Sequence, residues 1–372
     1  PGVLIIHSNQ RPAPVSIVID DTLRKVVPEG FKGPVEIYSE YLDNEWGSVQ
    51  KYAVAEAEFL RAKHGDRNIP VNVAESFPAL EFVAQFRDRE FLGAPVVHIA
   101  VARDRLHQIA LQPDMIGNPE DHDPAPTLQL ALRLHPDTKR LIMIRGASDL
   151  DRLWDSRMRA GVARLDNRGV EIVYLSALPT AEVLRRVAAL TRGDLVFTPG
   201  YFVDGAGEVT NARQSVELIA KASSVPVYGA FDTHVGTGIV GGYVSRFEDE
   251  GRAAGAIAVR LLNGTAPSEI ATSLTPRVLA VDWRQLQRWH VDERLLPADA
   301  IVMFRGATVW DRYWRELWLG AAILIFQAVL IGALLVEMRS RRRTALALRE
   351  SHEQMNMAAR AARLSFWVWD AA

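Results

Sequence analysis

The sequence predicts an α/β protein of two lobes with parallel sheets, followed by one transmembrane helix and a helical linker. Three observations support this architecture. Short apolar runs alternate with stretches of helical periodicity over residues 1–305, which is typical of parallel sheets covered by helices on both faces. The apolar runs form two groups of four. One long apolar segment follows near the end of the chain, where we expect a membrane helix.

The first group of strands predicts a lobe over about residues 3–110. A helix is expected over 48–65, and Gly65 follows its last helical residue. The four apolar runs are bounded by polar residues, as strands of a covered sheet are. They are VLIIHS (3–8), VEIYSE (35–40), IPVNVAE (69–75) and VVHIAVA (96–102).

The second group predicts a lobe over about residues 126–250, after a break at 111–126 that is rich in Pro, Asp and Asn. Pro179 and Asn211 stand where helices are expected to begin. A C-terminal segment, 265–305, contains a short strand and a helix with Asp282 as its N-cap. The four strands of the second lobe are expected at 140–146, 170–176, 194–200 and 226–232.

The segment Leu317–Val336 predicts a transmembrane helix. Its 20 residues contain no charge, and a helix of that length spans roughly 30 Å, the thickness of a bilayer core. Aromatic residues precede it, and Arg339, Arg341, Arg342 and Arg343 follow it. The positive-inside rule therefore predicts that residues 1 to about 312 lie outside the cytoplasm and 339–372 inside it. In a bacterial inner membrane this orientation would make the first part periplasmic. A buried core helix is the less favoured interpretation.

The composition excludes several classes of function. Cysteine is absent, so there are no disulfides and no thiolate metal sites. The formal net charge of -2 does not indicate a nucleic-acid partner. The sequence starts PGVLIIHSN, with no charged n-region, so no signal peptide is expected within it.

Three short motifs deserve a test against the structure. GTGIVG (236–241) matches the dinucleotide-binding pattern, but no helix is predicted at its last glycine, so we expect a turn into a short strand. DHD (121–123) and DTH (232–234) each lack further metal ligands. No pattern of catalytic residues is recognisable, and we expect no catalytic site, no metal and no cofactor in this part of the protein.

Three long segments carry a resemblance to a known family. They are PTLQLALRLHPDTKRLIMIRGAS, PVYGAFDTHVGTGIVGGYVSRFEDEGRAAGAIAVRLLNG and VDWRQLQRWHVDERLLPADAIVMFR. They resemble the ABC-transporter substrate-binding-type domain, a type 1 periplasmic-binding fold, in the version fused to bacterial sensor kinases. The resemblance covers roughly residues 3–305. It implies a two-lobed domain that binds a small molecule between its lobes.

The segment LRESHEQMNMAARAARLSFWVWD (348–370) is similar to the start of a PAS domain, expected to begin at 363. Together the two resemblances imply a sensor histidine kinase whose catalytic domains lie beyond this chain, with a response regulator as its partner. The linker over 339–362 is either a single amphipathic helix or a dimeric signalling helix, which would imply a homodimer. The seam of that dimer would consist of Met338, Ala345, Leu348, Met355, Ala359 and Ala362.

Polar and aromatic residues at the carboxyl ends of the strands are the candidate ligand-binding residues. In open α/β sheets the ligand lies beyond these ends, and groups placed there converge on the cleft. The alternative is that many of them only cap helices. The candidates are Ser8, Asn9, Glu75, Ser76, Ser148, Tyr201, Phe202 and Asp232.

Three functions are compatible with these observations. The first is the small-molecule-sensing part of a transmembrane receptor. The second is a membrane-tethered solute-binding protein of an ABC transporter. The third is a membrane-anchored α/β enzyme, for which no catalytic set is found. The bilayer and an unidentified small molecule are the partners expected in the first two cases.

Overall fold

The structure, a computed structural model, describes residues 1–43, 49–87, 93–166, 169–306 and 309–361. The chain forms two compact units, Pro1–Arg305 and Gly306–Ala372. The first unit contains two α/β lobes with one sheet each. The predicted fold class, two parallel-rich α/β lobes followed by one long apolar helix, is confirmed.

The first lobe is built on a parallel sheet of five strands in the order β2-β1-β3-β4-β5. The interior strand β1 consists of six buried residues, because helices cover both faces of the sheet. The strands are β1 (Gly2–His7), β2 (Glu36–Tyr41), β3 (Val71–Glu75), β4 (Val96–Ile99) and β5 (Met115–Gly117).

Two apolar cores lie on opposite faces of this sheet. Leu4 and Ile6 point to one face, where Leu60 and Phe82 of two helices pack against them. Val3, Ile5, Val71 and Val73 point to the other face, as the alternation of side chains along a strand requires. The helices that follow the strands of this lobe are α1 (Pro14–Gly30), α2 (Val49–His64), α3 (Ser76–Phe86) and α4 (Arg103–Leu106).

The second lobe has a mixed sheet of seven strands in the order β12-β11-β10-β9-β8-β6-β7. Only β10 and β11 pair in the antiparallel sense. The strands are β6 (Arg140–Arg145), β7 (Glu171–Ser176), β8 (Asp194–Phe197), β9 (Val227–Tyr228), β10 (Gly241–Val244), β11 (Val278–Asp282) and β12 (Ile301–Met303). The helices are α5 (Ala125–Leu134), α6 (Asp149–Ala163), α7 (Thr180–Ala188), α8 (Ala212–Ala222) and α10 (Trp283–Arg288).

Helix α9 (Phe247–Leu262) leaves the second lobe and packs on the first, where Ala254 and Ala258 join the core beside β1 and β3. The chain therefore crosses between the lobes three times. The lobe boundaries predicted near 110 and 250 miss β5 and α9. β5 has only three residues and gives no periodic signal, and the helical pattern of α9 does not indicate which sheet it covers.

The GTGIVG segment forms a turn and then a strand. Gly236 and Gly238 have φ of 99° and 116°, in the left-handed region that favours glycine. Its last glycine, Gly241, begins β10. A dinucleotide site requires a helix at that glycine, so the structure supports the turn-and-strand interpretation.

The second unit contains one helix, α11 (Val309–Ala361), which departs from helical geometry at Tyr313. From Tyr313 to Arg360 it is long and apolar enough to cross a membrane, by length and composition. The predicted span 317–336 lies within it, and its large apolar side chains are exposed. The predicted PAS strand SFWVWD and its flanks, 362–372, lie outside the residues that the structure describes.

Candidate functional site

A cleft with a volume of about 1010 Å³ lies between the two lobes. This is at the upper end of the range for small-molecule sites. The first turns of four helices, α1, α3, α6 and α8, contribute to its lining. Each of these helices follows a strand in its own lobe, so the cleft lies at the carboxyl ends of both sheets, where open α/β proteins place their ligands.

Five of the eight candidate ligand-binding residues line the cleft and three do not. Ser8, Asn9 and Ser76 lie on the wall of the first lobe, and Ser148 and Phe202 on the wall of the second. Glu75, Tyr201 and Asp232 are not among the lining residues. Each of these three has partners inside its own lobe.

Glu75 organises the wall of the first lobe from behind. Its carboxylate is fully buried and accepts hydrogen bonds from the Ser8 amide (3.3 Å), the Asn9 side-chain amide (3.3 Å) and the Ser76 hydroxyl (2.6 Å). The Ser16 hydroxyl on α1 also donates to it, at 3.3 Å. One carboxylate thus fixes three groups that face the cleft, and we assign Glu75 a positioning role in place of direct ligand contact.

His7 lies between the carboxylates of Glu75 and Asp20. Its Nδ1 lies 3.3 Å from the Glu75 carboxylate and its Nε2 lies 3.6 Å from Asp20. The ring stacks on Tyr41, with centroids 4.7 Å apart. Burial alone would lower the pKa of His7, but the neighbouring carboxylates of Asp20 and Glu75 together outweigh it and raise that pKa.

Ser76 holds a strained backbone at the edge of the cleft. Its φ is 70°, a left-handed conformation that costs most residues about 1–2 kcal/mol. Ala100, which also lines the cleft, has φ of 55°. Such strain persists only where the surrounding contacts enforce it, and here the bond from Ser76 to Glu75 contributes.

The wall of the second lobe is organised by local helix caps. The Ser148 hydroxyl accepts from the Asp151 amide at 3.1 Å, and the Asp151 carboxylate accepts from the Ser148 amide at 2.9 Å, which is a reciprocal capping box. Asn211 caps α8 by accepting from the Gln214 amide at 2.8 Å. The predicted capping role of Asn211 is confirmed, and both capping residues also line the cleft.

Tyr201 and Asp232 support the second lobe from within. The Tyr201 hydroxyl donates to Thr180 at 3.0 Å, and the Tyr201 ring is buried. Asp232 begins the short 3₁₀ turn Asp232–His234. Burial raises the pKa of Asp232 to about 6. Thr233 and His234 of the same turn do reach the cleft, so the DTH motif contributes through its second and third residues.

An aromatic cluster lies where the chain crosses between the lobes. The His122 ring stacks on Trp154 at 5.4 Å, and Phe231 meets both rings edge-on at 5.5 and 5.8 Å. Phe231 also stacks on Phe247 at 5.9 Å. All four residues line the cleft. Flat apolar surfaces of this kind bind flat apolar parts of small molecules.

His122 links this cluster to buried charges. Its Nε2 contacts the Glu120 carboxylate, and its Nδ1 lies 3.0 Å from Arg157. Burial raises the pKa of Glu120, but His122, Glu250 and Arg157 together outweigh burial and lower that pKa to about 2. Burial and the neighbouring Glu120 charge raise the pKa of Glu250 well above its usual value. The two shifts have opposite directions, so Glu120 is the carboxyl group of the pair that ionises first.

Several residues that line the cleft lie on helices or on the segments that cross between the lobes, and the positions of strand ends did not predict them. Trp154 and Arg157 lie on α6, and Arg105 lies on the short helix α4. His122 lies in the DHD motif, which the sequence analysis considered only as a metal site. No group of His, Asp or Glu with metal-binding geometry occurs in the part of the chain that the structure describes.

The fold and the cleft define a class of protein with a periplasmic-binding-type architecture. No protein-family description matches the sequence, and neither does any curated protein. Solved structures do match, at sequence identities that show the fold alone.

The matching structures include substrate-binding and solute-binding proteins. A ligand-free, open substrate-binding protein with adhesive properties from Clostridium difficile is 16% identical, with a TM-score of 0.59, over 81% of this chain and 98% of that chain. An ABC domain from Streptococcus pneumonia in complex with L-Trp has the same identity and TM-score, over 81% and 99%. A solute-binding protein from R. palustris in complex with benzoate is 14% identical, with a TM-score of 0.50, over 72% and 82%.

Proposed function

We propose that residues 1–305 bind a small molecule in the cleft between the two lobes. The observation that carries this proposal is the convergence of four helix starts and the aromatic cluster on a cleft of about 1010 Å³. Ser8, Asn9, Ser76, Ser148 and Phe202 are the predicted contact residues that remain candidates. The complexes of similarly folded proteins with L-Trp and benzoate support a small organic ligand.

In this proposal the ligand acts by favouring a closed arrangement of the lobes. A ligand shifts the equilibrium between open and closed states only by its different affinity for the two. A ligand that contacts both walls of the cleft binds the closed state more tightly, because only in that state can it contact both walls at once. The three crossings between the lobes are the natural hinge.

We further propose that the protein is the sensory part of a transmembrane receptor. Helix α11 continues without a described break for 25 residues beyond Val336, to Ala361. A simple tether does not need this extension, whereas a transmitter does. The histidine kinase, the PAS domain and the response regulator rest on the sequence resemblance alone. The coding sequence after Ala372 tests this proposal, since kinase domains are expected there and a stop codon would contradict it.

The alternative is a membrane-tethered solute-binding protein that delivers its ligand to a transporter. The similarity to transport binding proteins favours it. Both alternatives share the ligand and the membrane anchor. They differ in what the helix does after it leaves the membrane.

The binding proposal is tested with the full chain in detergent micelles. Thermal unfolding is followed while amino acids, sugars, purines and aromatic acids are added singly. A ligand present at 100 times its dissociation constant adds about 2.7 kcal/mol to the free energy of unfolding. If no compound raises the unfolding temperature, the proposal of small-molecule binding fails.

A matched pair of variants locates the site. Phe202→Ala removes an aromatic ring from the cleft wall, whereas Phe59→Ala removes one that is 55% exposed on α2 and does not line the cleft. We expect Phe202→Ala to weaken binding and Phe59→Ala to leave it unchanged. Equal affinities in the two variants would contradict a site in this cleft.

The proposed topology is testable because the sequence contains no cysteine. Single substitutions Ser224→Cys and Ser351→Cys place one thiol on each side of the predicted span. A membrane-impermeant maleimide applied to cells permeable only at the outer membrane should label Cys introduced at 224 and not at 351. The reverse labelling would contradict a periplasmic first unit.

A further inference from the structure

Two arginines in the cleft have no carboxylate partner among the described residues. Arg105 of the first lobe lies on the Phe77 ring, with its guanidinium carbon 3.4 Å from the ring centroid. Arg213 of the second lobe donates one hydrogen bond to the Thr233 carbonyl. Neither forms an ion pair within the described ranges of the chain. Each guanidinium has five N–H donors, so most of the donors of each arginine have no described partner.

The other arginines that line the cleft show that such pairing is available. Arg157 binds Asp104 through two hydrogen bonds of 2.8 and 2.6 Å, and Arg152 pairs with Asp149. Their charges are neutralised within the protein. The contrast distinguishes Arg105 and Arg213 as half-buried cations that line the cleft without a direct ion pair among the described residues. Asp104 and Glu81 act on Arg105, and Glu217 lies near Arg213, only through longer-range electrostatic interactions.

Glu81 is an acidic residue of the cleft that could pair with Arg105. It is exposed and forms no ion pair in the described structure, although its charge raises the pKa of Arg105. Burial has the larger effect and lowers that pKa. An exposed carboxylate that makes no direct contact leaves the Arg105 donors available to a ligand.

Helix dipoles add to the positive potential of the cleft. The first turns of α1, α3 and α8 reach it, and none of the three contains an acidic residue. A helix N-terminus carries roughly half a positive charge. Only α6 places acidic residues in its first turn, where Asp151 completes the capping box. The Glu75 carboxylate lies behind the starts of α1 and α3 and offsets part of their charge. The start of α8 is therefore the one that most directly has the same sign as the two arginines.

We infer that the ligand is a small organic anion with a flat apolar body, and that Arg105 and Arg213 are the residues that select its charge. Arginine binds carboxylates through paired, charge-assisted hydrogen bonds. The aromatic cluster around Trp154 and Phe231 offers the apolar part of the ligand a surface. Because the two arginines belong to different lobes, their contacts with one anion would favour closure. This inference rests on the proposed binding function.

The test compares acids with their uncharged amides. Phenylacetate and indole-3-acetate are paired with phenylacetamide and indole-3-acetamide, and each is added at equal concentration to the full chain in detergent. We expect the acids, and not the amides, to raise the unfolding temperature. Dissociation constants for an acid are then measured by titration calorimetry for the wild-type protein and its variants.

The variants separate charge from geometry. Arg105→Gln and Arg213→Gln should each weaken binding of the acid by about tenfold to a hundredfold, the effect of one charge-assisted hydrogen bond. Arg105→Lys and Arg213→Lys keep the positive charge but lose the paired hydrogen bonds of the guanidinium, so an intermediate loss of affinity is expected. Arg185→Gln is the control, because Arg185 is exposed on α7, is paired with Glu182 and does not line the cleft.

Each outcome decides between distinct conclusions. If the amides stabilise the protein as well as the acids, or if both glutamine variants bind an acid with wild-type affinity, the charge inference is wrong while small-molecule binding stands. If only uncharged sugars or purines bind, the same holds. If none of the compounds binds, the proposed binding function itself fails. The lysine variants keep the test valid should a glutamine variant fail to fold.

Discussion

Each wall of the cleft has a buried carboxylate behind it, but the two carboxylates are held differently. Glu75 in the first lobe faces His7 and accepts from Ser8 and Ser16, which lie 67 and 59 positions away in the sequence. Asp151 in the second lobe bonds to Ser148, three positions away, and to the backbone of Phe202 and Val203, and no cation is paired with it in the described structure. One wall depends on an ionic network, and the other on a helix cap and backbone hydrogen bonds to a carboxylate.

This difference predicts how each wall fails. A network that balances charges loses more than one interaction when any member is removed. A local cap loses its own hydrogen bonds and little else. The first lobe should therefore be the more sensitive of the two to substitution and to pH.

The largest effect is expected at Glu75. Glu75→Gln leaves the His7 imidazolium with Asp20 as its remaining counter-charge, and breaking a buried pair in this way costs about 3–5 kcal/mol of the free energy of unfolding. Asp151→Asn removes a charge that burial disfavours, since burial raises the pKa of Asp151. Urea unfolding of both variants measures the two costs. Equal costs would show that the two walls do not differ.

The pH dependence of stability should also differ between the walls. The folded pKa of His7 is raised, so its stabilisation is fully present below the unfolded pKa of about 6.5 and is lost as pH rises through the folded pKa. The pKa of Asp151 is also raised. The stabilisation that Asp151 contributes is present below the unfolded pKa of about 3.9 and is lost as pH rises above it. Other groups with shifted pKa values, such as His98 and Asp232, act in the same range. The contribution of each group, measured as the difference in unfolding free energy between the wild-type protein and a variant that lacks it, should therefore fall in its own window.

Substitution of His7 sharpens that measurement. His7→Gln should remove the His7 contribution in the neutral window and, because His7 also lowers the pKa of Asp20, should change the acidic range through Asp20 but not through Asp151. If the variant and the wild-type protein have the same profile above pH about 6.5, His7 is not the group that titrates there.

A smaller effect is expected from the strained backbone of Ser76. Ser76→Ala and Ser76→Gly both lose the hydroxyl that donates to Glu75, but only glycine relieves a φ of 70°. The glycine variant should therefore be more stable than the alanine variant by about 1 kcal/mol. Thermal unfolding of the two variants compares them directly. Identical stabilities would mean that the backbone at Ser76 carries no strain.

The smallest effect is expected at the cap of α8 in the second lobe. Asn211→Ala should cost about 1 kcal/mol, and Asn211→Asp, which keeps an acceptor, should cost less. Hydrogen exchange should rise within Ala212–Ala222 and remain unchanged in the first lobe. Faster exchange in the first lobe would mean that the cap is not local.

The sequence predicted the parts of the fold whose signal is local. The runs at 3–8 and 140–146 became β1 and β6 because both strands are covered on both faces. The antiparallel pairing of β10 with β11 was not predictable, because the direction of a strand in its sheet depends on the path of the chain. β9 has only two residues, although the apolar run 226–232 suggested a longer strand.

The sequence predicted those residues of the candidate site that lie at or just after the ends of strands. Ser8 and Ser148 follow strands directly and line the cleft. Glu75 also ends a strand, but its side chain points behind the wall, and the orientation of a terminal side chain is not set by its position alone. Trp154 and Arg213 line the cleft from helices. The periodicity of a helix predicts which residues face the core or the solvent, but it does not predict which of them face the other lobe.

The return of α9 to the first lobe has a consequence for biosynthesis. Val3, Ile5, Val71 and Val73 leave the ribosome long before Phe247–Leu262, which covers part of their face. Until then that face is partly uncovered, a condition in which chains associate wrongly. The first lobe therefore begins to be synthesised before the second lobe, but its core is completed only after α9 has been made.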